Sequence, residues 1–216
     1  NLRFFPNGVL FSETFCVHEL IHQYFQQMVS NNEQEEPWMD EGFTTYWEGR
    51  IMDEYYGNKK SAFKVLGVGA GNVEYNRIEY FNMRNPRMTP TSETGFDNGI
   101  DNYRTITYNK TAVWLSTLEG LIGEEAMGEI WKTFFERWKF KHPYGQDFID
   151  VVNEVVRKNH GMDFGENMDW FFEQVHFGTG LCDYELAGIS NQKIREPFGI
   201  YEDDCITESK EMSETL

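Results

Sequence analysis

The segment His18-Glu19-Leu20-Ile21-His22 constrains this chain more than any other stretch of it. Side chains at i and i+4 of a helix stand one above the other on one face, so two imidazoles at that spacing reach a single metal ion. Glu19 lies between them, where its carboxylate can stand over an open coordination position and take a proton from water. A zinc site that keeps one position open needs three protein donors, so a third has to come from a second segment.

Glu41 is the candidate. Eighteen residues separate it from His22, enough to finish one helix, turn, and run a second one back alongside. Ser30-Asn31-Asn32-Glu33-Gln34-Glu35-Glu36-Pro37 is polar and rich in breakers, and Pro37 suits the first turn of a new helix. That helix is expected from Trp38 to Tyr56, stopping at Gly57-Asn58. Glu48 falls two turns after Glu41 on the same face, where it can accept a hydrogen bond from the outer ring nitrogen of a metal-bound histidine.

His18-Glu19-x-x-His22, followed by Glu41 within Trp38-Met39-Asp40-Glu41-Gly42-Phe43-Thr44-Thr45-Tyr46, resembles the zinc signature of the M1 family of metallopeptidases, the gluzincin aminopeptidases. Tyr108-Asn109-Lys110-Thr111 resembles the family's Tyr-x-Lys-Gly helix start. The resemblance covers approximately residues 10–180 and implies one zinc ion held by His18, His22 and Glu41. It implies Glu19 as the proton acceptor for the attacking water and Tyr108 as a donor to the oxyanion. A phenol suits that work, being neutral at pH 7 and able to donate where negative charge develops. Thr111 stands where the family has glycine, a departure expected to alter the approach of this helix to a substrate.

The fold implied is mainly α, the multi-helix C-terminal half of a thermolysin-like zinc peptidase domain. Family aminopeptidases carry an upstream Gly-x-Met-Glu-Asn strand that captures the substrate's amino terminus. No such motif occurs here, and Gly165-Glu166-Asn167-Met168 has similar letters in another order. Asn1-Leu2-Arg3-Phe4-Phe5-Pro6 shows neither a starting Met nor a signal-peptide pattern. The chain therefore reads as a fragment of a longer protein, lacking most of the β-sheet lobe and any targeting region. Residues 1–185 are expected to be the partial catalytic domain, and 186–216 a tail or the start of a following segment.

A chain of 216 residues, 40% hydrophobic and 16% aromatic, can bury one substantial core filled with Phe, Trp and Tyr. A net charge of −17 opposes nucleic acid or an anionic membrane as partner, since phosphate binding needs clustered Lys and Arg. A peptide substrate is the partner that the resemblance implies. No apolar run reaches the length of about eighteen residues that a membrane-spanning helix needs. Cys16, Cys182 and Cys205 are too few and scattered for a disulfide framework, and Cys16 points to another face of the zinc helix than His18.

The zinc helix is expected to start at Ser12 as N-cap and to run past Met28, apolar on more than one side and so buried. From Lys59 to Thr107 the pattern is weak. Gly67-Val68-Gly69-Ala70-Gly71-Asn72 superficially resembles a phosphate loop but lacks the Lys-Ser/Thr ending, and 85–92 and 95–99 read as loops. Helices follow at 108–122, from Glu124 to before Pro143, at 147–159 and at about 167–175. His142, His160 and His176 fall at helix ends, where an imidazolium complements the dipole and meets solvent. The function expected of the full-length protein is zinc-dependent removal of N-terminal residues from peptides. The alternatives are an endopeptidase of the same fold and a non-catalytic binding or scaffold module; the retention of every catalytic group weighs against the latter.

Overall fold

Periodic burial of apolar side chains builds the C-terminal helices, and these form the platform on which the site stands. The computed structural model describes residues 11–57, 61–65, 68–82, 89–95 and 100–180. Within them run α1 (Phe11–Ile21), a π-helical turn (Trp38–Gly42) leading into α2 (Phe43–Tyr56), strands β1 (Phe63–Val65) and β2 (Val68–Ala70), and α3 (Asn72–Phe81). Then come α4 (Ile100–Arg104), a second π-helical turn (Thr105–Lys110) leading into α5 (Thr111–Ile122), α6 (Glu124–Trp138), α7 (Gly145–His160) and α8 (Asp169–Val175). The mainly helical architecture is the one expected. The sheet among the described residues is a single antiparallel ribbon, Phe63 opposite Ala70 and Val65 opposite Val68. The chain divides into two units after Leu181, and the second lies outside the described residues, as does the domain boundary expected at 185.

In α7, Phe148, Ile149, Val151, Val152, Val155 and Val156 form one buried stripe, while Asp147 turns back to accept from the Tyr144 amide at 2.8 Å and Arg157, Lys158 and His160 occupy the last turn. This stripe and that of α6 face each other. Between them and α2 sits Phe43, fully buried, with the rings of Trp38, Trp131 and Phe148 at 5.3, 4.9 and 4.8 Å. Truncating such a ring costs roughly 3–5 kcal/mol. Because Phe43 follows Glu41 by two residues, the core fixes the turn that carries the carboxylate.

The expected helices from Trp38 to Tyr56 and from Tyr108 to Ile122 are present, each stopping at a positive-φ glycine, Gly57 at 88° and Gly123 at 87°. Three expectations about the zinc helix need correction. The zinc helix already includes Phe11, so Ser12 lies inside it, and it ends at Ile21. Beyond that point the backbone tightens through Gln23 N–H to Leu20 O and Tyr24 N–H to Ile21 O, then reverses at Gln26 with φ 86°. Phe25 and Val29 are apolar because they join the core, not because a helix continues through them. Nor is α1 buried: Phe15 and Leu20 are exposed, Leu20 by 66%.

The glycine-rich run is no phosphate loop, in keeping with its missing Lys-Ser/Thr ending. Val68–Ala70 is a strand of the ribbon, and Gly71 caps α3, its amide donating to Glu74 Oε2 at 3.1 Å. Helix α3 itself was invisible to hydropathy because its buried stripe, Asn72, Asn76 and Tyr80, is polar. His176 does not meet solvent. It is 3% exposed against Trp38 and Trp114, and burial together with the nearby Lys110 charge pushes its imidazole down to about 3. Residues 85–88 and 96–99, Cys182 and Cys205 lie outside the described residues.

Candidate metal centre

His18 and His22 leave α1 on one face, and the π-turn brings Glu41 up against both. Glu41 Oε2 is 3.1 Å from His18 Nε2 and 3.4 Å from His22 Nε2. The donor atoms of the three residues all lie within 4.8 Å of one another. A tetrahedral zinc with bonds of about 2.0–2.1 Å spaces its donors about 3.3–3.4 Å apart, so these two edges fit that ion. Cys16 is exposed on a different face, as expected, and belongs to no such group.

The opposite ring nitrogens are held by carboxylates, which aims both Nε2 atoms inward. His18 Nδ1 lies 2.9 Å from Glu48 Oε2, the partner that spacing suggested. His22 Nδ1 lies 2.8 Å from Asp40 Oδ1, but off the line of a good hydrogen bond, and Thr44 Oγ1 approaches the same nitrogen at 3.3 Å. Asp40 and Thr44 were not foreseen. No periodicity marks Asp40, because it reaches His22 only through the wider π-turn, which presents Asp40 and Glu41 to the same two rings.

Three carboxylates around two imidazoles make a site that seeks positive charge. Burial opposes a charged His18, yet hydrogen bonds to Glu41 and Glu48 outweigh it and carry the ring up to about 9. Asp40 and then Glu41 raise His22 to about 10. Burial alone would raise Glu41, but hydrogen bonds from His18, His22 and Tyr108 hold it down at about 2. A divalent cation answers the same charge while needing the imidazoles neutral.

Tyr108 lies in the second π-turn, its ring stacked on that of His18 at 5.9 Å and its hydroxyl donating to Glu41. Burial, followed by the Glu41 hydrogen bond and charge, pushes the phenol well above its usual range, so it keeps its proton. The two π-turns pack together through Gly42, where an added Cβ would lie 2.2 Å from Thr111 Cγ2 and 2.9 Å from Thr107 O. Thr111 is fully buried against Gly42, where its side chain fills the joint between the two turns. Behind it, Lys110 is buried, donates to Gly178 O at 2.9 Å, and is brought down to about 8 by burial.

Glu19 is exposed and forms part of the wall of a cavity of about 790 Å³, together with His18 and Tyr108. The cavity extends along Glu48 to the polar stripe of α3. Every residue singled out in the sequence, His18, Glu19, His22, Glu41 and Tyr108, is thus gathered at one place.

A helical domain that turns two imidazoles and a carboxylate toward one point, with a free glutamate beside them, falls in the class of His-Glu-x-x-His metallohydrolase folds. More narrowly, the chain belongs to peptidase family M1: the family's domain model, described as Peptidase family M1 domain, matches residues 11–174. Leucine aminopeptidase 2 of Emericella nidulans is 26% identical over 192 residues, covering 84% of this chain and 31% of the relative. Aminopeptidase B of Rattus norvegicus is 28% identical over 153 residues, 68% of this chain and 23% of the relative. The chain therefore spans about a third or less of the length of these curated relatives.

Solved structures share the fold at lower identity. A mutant M1 zinc metallopeptidase from Deinococcus radiodurans, bound to a Tyr-Ser-Ala substrate, matches with a TM-score of 0.56 and 18% identity over 79% of this chain and 34% of its own. Native yeast LTA4 hydrolase matches with a TM-score of 0.59 and 19% identity, over 80% and 27% respectively. No described helix is long and apolar enough to cross a membrane.

Proposed function

We propose that His18, His22 and Glu41 hold one zinc ion, and that the full-length protein hydrolyses peptide bonds, removing N-terminal residues from peptides. The observation that carries this is the triangle of donors, closed at 3.1 and 3.4 Å, with Glu19 standing in the adjoining cavity. Family membership and the aminopeptidase names of the relatives support it. When bound, zinc supplies a Lewis acid and lowers the pKa of a coordinated water.

The chain's own residues do the rest. Glu19 accepts the proton of the attacking water and returns it to the leaving amine. Tyr108, held protonated by its surroundings, donates its hydroxyl to the carbonyl oxygen as negative charge develops there. Glu48 and Asp40 keep the two imidazoles oriented. The catalytic part is assigned to residues 1–185, with 186–216 a tail or the start of a following segment. Comparing hydrolysis of peptides with free and acetylated amino termini tests the aminopeptidase reading: loss of turnover on acetylation supports it, and equal turnover shows endopeptidase action instead. Zinc binding without turnover of either peptide would favour the scaffold module.

A further inference from the structure

The cavity beside the site carries a positive charge that hydrolysis, as described, does not use. Arg104 ends α4, four residues before Tyr108, and its exposed side chain lines the same cavity. It is the only lysine or arginine among the described lining residues. No carboxylate among the described residues stands within ion-pair distance of it, whereas Arg50 is paired with Glu119 and Arg137 with Glu154. Its field is felt at Glu48 and Tyr75, but Glu48 is already engaged by His18 Nδ1.

Beside Glu19 and Glu48, several neutral hydrogen-bonding groups line the cavity that this guanidinium enters. Asn72, Tyr75, Asn76 and Asn109 share the cavity with it, and Asn109 Nδ2 donates to Asn76 Oδ1 at 2.8 Å. In a chain of net charge −17, carboxylates are plentiful as partners for a surface arginine. A planar five-donor fork left without an ion-pair partner among the described residues is suited to an anion arriving from outside, most favourably a carboxylate met in bidentate fashion.

We propose that Arg104 binds a carboxylate carried by the peptide substrate. This rests on the peptidase reading above. Arg104 and Tyr108 are four residues apart across the π-turn, at most about 6 Å along the helix axis, and an extended peptide covers about 3.3–3.6 Å per residue. The carboxylate therefore belongs within about two residues of the bond presented to Tyr108. Two sources share this chemistry: the terminal carboxylate of a short peptide, and an Asp or Glu side chain next to the cleaved bond.

The test compares kcat/KM of the zinc-loaded protein for alanyl-alanine against alanyl-alaninamide, and for alanyl-glutamyl-alaninamide against alanyl-glutaminyl-alaninamide. The first pair reads the terminal carboxylate and the second the side chain. At least one ratio should favour the acidic member by about tenfold to a hundredfold, the range expected of a charge-assisted hydrogen-bonded pair. Arg104→Gln should bring that ratio near one, and Arg104→Lys should restore part of it, a pattern that a merely structural arginine would not give. Ratios near one in the wild type, or a preference that persists in Arg104→Gln, overturn the proposal. Equilibrium binding of the same peptides by calorimetry separates the two readings. A binding preference lost in Arg104→Gln supports the anion site even if no peptide is cleaved, and absence of cleavage counts against the peptidase function alone.

Discussion

Glu48 Oε2 and His18 Nδ1 stand 2.9 Å apart, so a carboxylate two turns along α2 sets the direction in which the first imidazole of the metal centre points. Replacing Glu48 with glutamine keeps the shape of the side chain and removes the charge. Zinc affinity is expected to fall by about ten- to a hundredfold, the usual effect of losing a group that orients a ligand. Competition with a chromogenic chelator measures it, and Asp40→Asn should act in the same direction through His22.

Tyr108→Phe deletes one hydroxyl and leaves the ring stacked on His18. A donor that acts only where charge develops is worth roughly 100- to 1,000-fold in kcat. Steady-state kinetics should show that loss in kcat with KM little changed and zinc content intact. A rise in KM at unchanged kcat would place Tyr108 in substrate binding instead.

Gly42→Ala tests the joint between the two π-turns. The new methyl would lie 2.2 Å from Thr111 Cγ2 and 2.9 Å from a backbone oxygen, so the turns must separate. A loss of about 1–3 kcal/mol is expected in denaturant unfolding, with Glu41 and Tyr108 pushed apart. Adding Thr111→Gly should return part of the stability by removing the side-chain half of the clash.

Acid sensitivity follows from His176, whose folded value is about 3 against 6.5 for the free ring. Between those values the unfolded chain binds the proton and the folded chain does not, so this group lowers stability as pH falls from about 6.5 toward 3. Thermal unfolding across that window should show it, and His176→Phe should flatten the dependence.

How far the sequence told this in advance depended on the kind of signal each residue left. His18, Glu19, His22 and Glu41 were legible because helical spacing and metal chemistry constrain each other, and Glu48 because two turns of α2 return it to the same face. Asp40 was not, since its reach to His22 depends on a π-turn that leaves no periodic trace. The stripe of α3 escaped because Asn72 and Asn76 are buried through hydrogen bonds to Ser61 and Asn109, and hydropathy counts such residues as surface. The early end of α1 was hidden for the converse reason: Phe25 and Val29 look like helix continuation but belong to the core.

The central claim is that one zinc ion at His18, His22 and Glu41 works with Glu19 as proton acceptor. The most direct measurement is zinc stoichiometry together with peptide hydrolysis for the wild-type protein and Glu19→Gln. One zinc per chain in both, with hydrolysis in the wild type reduced about 100- to 10,000-fold in the variant, is the predicted result. Hydrolysis that survives in Glu19→Gln, or a wild-type chain that takes up no zinc, would contradict it.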